Sequence, residues 1–183
     1  MAIQKVGVVG CGLMGSGIAQ VSAAAGFATV VREVSPEIVD KGLKGIEKNL
    51  ARLVEKGTIT AAAQGEICGR LQGTTVIDDL KDCDLIVEAI IEQLPAKREL
   101  FSALDRLCPP STVFASNTSS LTITEIAAAT KRPERFVGLH FFNPVPVMRL
   151  VEVVRTIATD ADVYEEMVAF GTKLGKTAVR AHD

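Results

Sequence analysis

The segment that most limits what this chain can fold into is Gly10-Cys11-Gly12-Leu13-Met14-Gly15, which directly follows the apolar run Val6-Gly7-Val8-Val9. Three glycines at this spacing suit a strand that turns sharply into a helix. The first allows the tight turn. The second leaves the backbone bare, so that a ligand can come close. The third lets the new helix pack tightly on the strand.

The rest of the chain repeats the same alternation. Apolar, β-branched runs at 6–9, 28–31, 74–77, 85–89, 113–115, 136–139, 150–154 and 177–180 read as strands. Helical patterns fall between them at 14–25, 36–55, 61–71, 95–107, 122–129 and 161–174. Continuous apolar strands separated by helices imply an α/β fold whose sheet is covered on both faces. The expected architecture is a Rossmann-type, doubly wound, mainly parallel sheet. One connection is longer than such a unit needs. It has room for two helices, joined near Gly57-Thr58-Ile59-Thr60 with Thr60 as N-cap. The expectation is a helical-hairpin insertion after the second strand, with residues 1–183 forming one domain.

In that setting the glycine motif takes on a chemical meaning. A helix N-terminus offers free N–H groups and the positive end of its dipole to a pyrophosphate. An acidic residue about 20 residues on is the expected partner of an adenosine ribose, and Glu33 stands at the end of the second strand. Its carboxylate accepts the ribose hydroxyls of NAD and repels the 2′-phosphate of NADP. Strand alternation turns the neighbouring Arg32 away from the acid. The cofactor expected is NAD.

Composition excludes other classes. The formal net charge of −2 does not suit a nucleic-acid binder, which carries a basic face. Four cysteines, Cys11, Cys68, Cys83 and Cys108, are too far apart for a zinc or thioredoxin-like motif, so no metal is expected. They read as reduced thiols of a cytoplasmic protein. No apolar run approaches the ~20 residues that a membrane span needs, and the N-terminus has no signal-peptide pattern.

The candidate chemistry lies at strand ends. Of the two histidines, His140 ends a strand in Gly138-Leu139-His140-Phe141-Phe142-Asn143-Pro144. Ligands bind open α/β sheets at such ends. Glu152 interrupts the apolar run Leu150-Val151-Glu152-Val153-Val154. It either faces solvent or accepts a hydrogen bond from His140, which would set the tautomer and raise the basicity of the other ring nitrogen. Ser116-Asn117-Thr118-Ser119-Ser120 brings hydroxyls and an amide to another strand end, or simply caps a helix. Glu88-Ala89-Ile90-Ile91-Glu92 leaves a third, and Lys97 lies one turn into the next helix, where an isolated lysine is usually solvated.

These segments, in this order and ending in His140-Phe141-Phe142-Asn143-Pro144-Val145-Pro146-Val147-Met148, resemble the L-3-hydroxyacyl-CoA dehydrogenase family over essentially the whole chain. The resemblance implies that His140 is the catalytic base, Glu152 its carboxylate partner and Ser119 a serine beside the substrate hydroxyl. It implies cofactor contacts at Gly10, Gly12, Leu13, Met14, Gly15, Glu33, Ala89, Glu92, Lys97, Asn117, Ser119 and Asn143, and coenzyme A contacts at Asn49 and Lys56. The family more often has serine at the position of Asn49 and aspartate at that of Glu33. The implied reaction is NAD-linked oxidation of a 3-hydroxyacyl-CoA, with acetoacetyl-CoA as a substrate of the reverse direction. The resemblance further implies a C-terminal helical domain, absent from this chain, through which the parent forms a homodimer. A non-catalytic NAD- or CoA-binding module and a dehydrogenase of a free 3-hydroxy acid are the alternative readings.

Overall fold

The computed structural model describes residues 3–183. Its first unit is β1 (Lys5–Val9), α1 (Leu13–Ala24) and β2 (Ala28–Arg32). Then come the paired helices α2 (Pro36–Glu55) and α3 (Ala61–Gly69), and the short strand β3 (Leu71–Thr74). The second half runs β4 (Leu85–Glu88), α4 (Leu94–Leu107), β5 (Val113–Ser116), α5 (Ile123–Ala127) and β6 (Phe136–Phe141). It ends with β7 (Leu150–Arg155), α6 (Ala161–Lys173) and β8 (Thr177–His182).

These strands form one sheet in the order β3-β2-β1-β4-β5-β6-β7-β8. All neighbours are parallel except β6 and β7. The chain winds outward from β1 to β3, then starts again on the other side of β1 with β4. The crevice at the carboxyl ends of β1 and β4 is therefore the topological switch point, where doubly wound sheets hold their ligands.

The inner strands are buried on both faces, which is why they read as continuous apolar runs. One core layer packs α1, α2, α3 and α6 on the sheet through Ile18, Ile46, Leu50, Ile67 and Met167. The other packs α4 and α5 through Phe101, Leu104 and Ile126. The Phe101 ring there meets Phe136 edge-on at 4.6 Å and Phe114 at 5.5 Å. The helical hairpin is present as expected. Ser35 caps α2, with Pro36 in its first turn. The Thr60 hydroxyl accepts the Ala63 N–H at 3.1 Å at the start of α3.

Several boundaries differ from expectation. The third strand is Leu71–Thr74 rather than 74–77, and α3 stops at Gly69 rather than at 71. Thr75, Val76 and Ile77 have strong strand propensity, but among the described residues the partner at this edge is β2, and its residues Thr29–Arg32 pair with Leu71–Thr74. Gly73 allows that register, because a Cβ there would sit 2.4 Å from Val39 and 2.8 Å from Leu43 on α2. Val76 is left half exposed and Ile77 opens a 3-10 turn. At the other end of the range, β6 continues through Phe141, because β7 pairs with it up to the Phe141–Val151 rung.

Candidate active site

The glycine turn shows which constraints come from the protein. Gly10 has φ +102°, and a Cβ on it would lie 2.5 Å from the Ala89 carbonyl oxygen. A Cβ on Gly15 would lie 1.8 Å from the Gly10 carbonyl oxygen. Both positions are closed to any side chain. Gly12 is different, since nothing lies within 4 Å of where its Cβ would be. The space over Gly12 is free for something outside the chain, at the N-terminus of α1, which no side chain caps.

Glu33 completes this end. Its Oε2 accepts the Cys11 N–H at 3.0 Å and its Oε1 accepts the Val34 N–H at 2.7 Å. A cavity of about 780 Å³ is lined by Gly12, Leu13, Met14, Glu33 and Ala89. Arg32 lines it as well, contrary to the expectation that alternation turns it away. The last paired residue of β2 is Arg32, so Glu33 lies beyond the strand, where the twofold alternation no longer governs direction. A bare backbone at a helix N-terminus, a carboxylate at the second strand end and an elongated cleft fit a dinucleotide.

A second cavity of about 430 Å³ adjoins the first, sharing Met14, Ala89 and Ile90. It brings together Glu92, Lys97, Asn117, Ser119, His140 and Asn143. His140 and Glu152 are directly opposite on β6 and β7, and His140 Nδ1 lies 2.8 Å from Glu152 Oε2. Glu152 therefore does both things considered for it: it keeps 38% of its side-chain surface exposed and it holds the histidine. With Nδ1–H directed at the carboxylate, Nε2 is left as the basic nitrogen. An imidazole held in this way can take a proton from a hydroxyl. The Asn117 side-chain oxygen accepts the Phe141 N–H at 2.8 Å, tying the loop after β5 to the strand that carries His140.

Lys97 is not solvated as an isolated helix lysine usually is: it is 1% exposed. Its ammonium donates to Glu88 Oε1 at 2.5 Å and lies 3.1 Å from Glu92 Oε2. Glu88, also fully buried, accepts the Ile90 N–H at 2.7 Å and the Ser116 hydroxyl at 2.6 Å. Glu92 accepts the Thr118 hydroxyl and, at 3.3 Å, the Ser119 N–H. Burial works against the Glu92 charge, but Thr118 and Lys97 outweigh it and hold its pKa below the usual carboxylate range. Glu88, Ser116 and Thr118 lie in segments that the sequence places at strand ends, but none was among the expected site residues. The available signal was a carboxylate closing the otherwise apolar strand Leu85-Ile86-Val87-Glu88.

Asn49 and Lys56 lie apart from this group. Asn49 is exposed on α2 and Lys56 is exposed at its C-cap, and neither lines the two cavities. Among the described residues no cluster of His, Cys, Asp or Glu could hold a metal ion, and no helix is long and apolar enough to cross a membrane.

The chain is similar to known proteins over its whole length. A 3-hydroxybutyryl-CoA dehydrogenase of Mycobacterium tuberculosis is 48% identical over 184 residues, covering 100% of this chain and 64% of its own length. That of Bradyrhizobium diazoefficiens is 46% identical over 181 residues, covering 99% of this chain and 62% of its own. The crystal structure of 3-hydroxybutyryl-CoA dehydrogenase from Escherichia coli K12 superposes with a TM-score of 0.98 at 43% identity, covering 100% of this chain and 39% of that one. This chain thus spans less than two thirds of each of these relatives. The family model for the 3-hydroxyacyl-CoA dehydrogenase NAD binding domain matches residues 5–183, so the chain belongs to the 3-hydroxyacyl-CoA dehydrogenase family through that domain.

Proposed function

We propose that the whole protein oxidises a (3S)-3-hydroxyacyl-CoA to the 3-ketoacyl-CoA, and that this chain supplies its NAD site and its acid–base pair. The observation that carries the reading is His140 fixed by Glu152 in a cavity continuous with the cleft over Gly12. Bound NAD supplies the hydride acceptor. His140 Nε2 takes the proton of the 3-hydroxyl, while Glu152 holds Nδ1–H and stabilises the imidazolium. Ser119 orients the hydroxyl. The turn from Gly10 to Gly15 receives the pyrophosphate, with Leu13 and Met14 in the first turn of α1. Glu33 receives the adenosine ribose. Ala89, Glu92, Lys97, Asn117 and Asn143 contact the nicotinamide half. Asn49 and Lys56, on the outer side of α2, meet the coenzyme A phosphates. The protein's contribution is alignment and a prepared electrostatic environment.

The relatives' additional length supports a second, C-terminal domain that closes the acyl side of the cleft and makes a homodimer. Assayed without such a domain, the 183-residue chain should bind NAD but turn over very weakly. A cytoplasmic location accords with its free thiols.

Calorimetry of this chain with NAD and NADP tests the dinucleotide half. NAD should bind, NADP poorly, and Glu33→Ala should weaken NAD about tenfold, equivalent to 1.4 kcal/mol. Turnover of 3-hydroxybutyryl-CoA by a chain extended to the relatives' length tests the chemistry. His140→Ala there should cost about 10²–10⁴-fold. Equal rates with free 3-hydroxybutyrate would refute the coenzyme A assignment. Equal rates for the short and extended chains would refute the role given to the second domain.

A further inference from the structure

Glu88 takes no part in the proposed chemistry, yet it is fully buried. A carboxylate removed from water needs a counter-charge and hydrogen bonds, and apolar side chains fill such a place at less cost. Glu88 has the counter-charge in Lys97 at 2.5 Å and the hydrogen bonds in Ile90 N–H and the Ser116 hydroxyl. Lys97 has a second partner, Glu92, at the longer distance of 3.1 Å. The two carboxylates differ in what they face. Glu88 is sealed off, whereas the Glu92 side chain is 41% exposed and lines the cavity that also holds His140. Two carboxylates against one ammonium leave one negative charge. Because Lys97 sits closer to Glu88, that charge is presented at Glu92, toward the cavity.

The nicotinamide ring is cationic when oxidised and neutral when reduced. A negative charge at this end of the cleft therefore distinguishes the two. We infer that Glu88 is a positioning residue: by drawing Lys97 away from Glu92, it leaves the Glu92 charge less offset toward the cavity and tilts the site toward NAD⁺ over NADH. The inference rests on the NAD reading above and extends it to the choice between redox states.

The test is the ratio of the dissociation constants of NAD⁺ and NADH, measured by calorimetry on the 183-residue chain. Glu88→Gln preserves the shape and can still pair with Ile90 and Ser116, but it releases Lys97 to Glu92. NAD⁺ should weaken relative to NADH by about threefold or more. General damage to the fold weakens both forms alike and leaves the ratio unmoved. In the double variant Glu88→Gln/Lys97→Met both buried charges go and Glu92 is unopposed. A hydrogen bond from Lys97 to a group that both forms share is lost for both and cancels in the ratio, whereas loss of its positive charge adds to the shift toward NAD⁺. The ratio should then move past the wild-type value in favour of NAD⁺, and this arm carries the test if Glu88→Gln alone does not fold. An unchanged ratio in the single variant, or a double variant unchanged or shifted against NAD⁺, overturns the inference while the NAD reading stands. A wild-type chain that binds neither form overturns both.

Discussion

Gly12 and Gly15, three residues apart in one turn, should respond to the same substitution in opposite ways. The Cβ of Gly15→Ala would lie 1.8 Å from the Gly10 carbonyl oxygen, about 1.6 Å short of ordinary contact. That oxygen cannot retreat. Gly10 is fixed at φ +102° and its N–H donates to the Arg32 carbonyl at 2.9 Å. Overpacking against movable side chains costs about 1–3 kcal/mol, and a clash with fixed backbone should cost more than about 3. With a urea slope of about 1–3 kcal/mol per molar, the midpoint should fall by 1 M or more. Gly12→Ala meets no atom within 4 Å. As an N-cap, alanine is poorer than glycine, but restricting the unfolded chain returns about 0.4–1 kcal/mol, so net stability should change by less than about 1 kcal/mol. The new methyl would instead stand where the pyrophosphate approaches, and NAD binding should weaken by about tenfold or more, at least 1.4 kcal/mol. Urea titration and NAD calorimetry on both variants separate the effects. A Gly12→Ala chain that binds NAD like wild type, or a Gly15→Ala chain that unfolds like wild type, would refute this reasoning.

Other consequences are equally measurable. The buried Lys176 ammonium donates to the Val145 and Met148 carbonyls, so Lys176→Met should lower stability by about 2–4 kcal/mol, and an unmoved urea midpoint would contradict that. Burial pushes the Cys11 and Cys108 thiols up to about 11 and the Cys83 thiol to about 12. At pH 8 a thiol reagent should find one fast cysteine, the half-buried Cys68, in the native chain and four after unfolding; a second fast native thiol would be inconsistent with this burial. The Asp183 carboxylate is partly desolvated, but its bonds to the Thr124 hydroxyl and to the N–H groups of Thr124 and Ile123 hold its pKa below the usual value. Its stabilisation is therefore complete above the unfolded pKa of about 3.9 and disappears as pH falls through the lower folded value. The melting-temperature gap between wild type and Asp183→Asn should shrink as pH drops from about 5 toward 2; a gap that is constant or grows would reverse the sign.

The features legible in the sequence are those set by neighbours along the chain. The glycine turn, the Thr60 cap and the inner strands were all readable from local backbone demands and apolar runs. The edge strand β3 was displaced because its position follows from pairing with β2, not from the propensity of Thr75-Val76-Ile77. The direction of Arg32 was misjudged because β2 ends at that residue. Apart from the resemblance, nothing in the sequence distinguishes Lys97 from a solvated helix residue, because its two carboxylate partners come from the preceding strand and loop.

The sequence by itself determined a doubly wound sheet, a dinucleotide turn and the family, since each rests on short segments whose meaning does not depend on distant contacts. The tertiary structure decided how the carboxylates meet their bases. The His140–Glu152 pair, offered by the sequence as one of two readings, is made through the register of β6 with β7, whereas the joining of Glu88, Lys97 and Glu92 was not legible and arises only when α4 packs back against the ends of β4 and β5. Charge pairing is a matter of distance and burial in space, and separation along the chain carries no record of either.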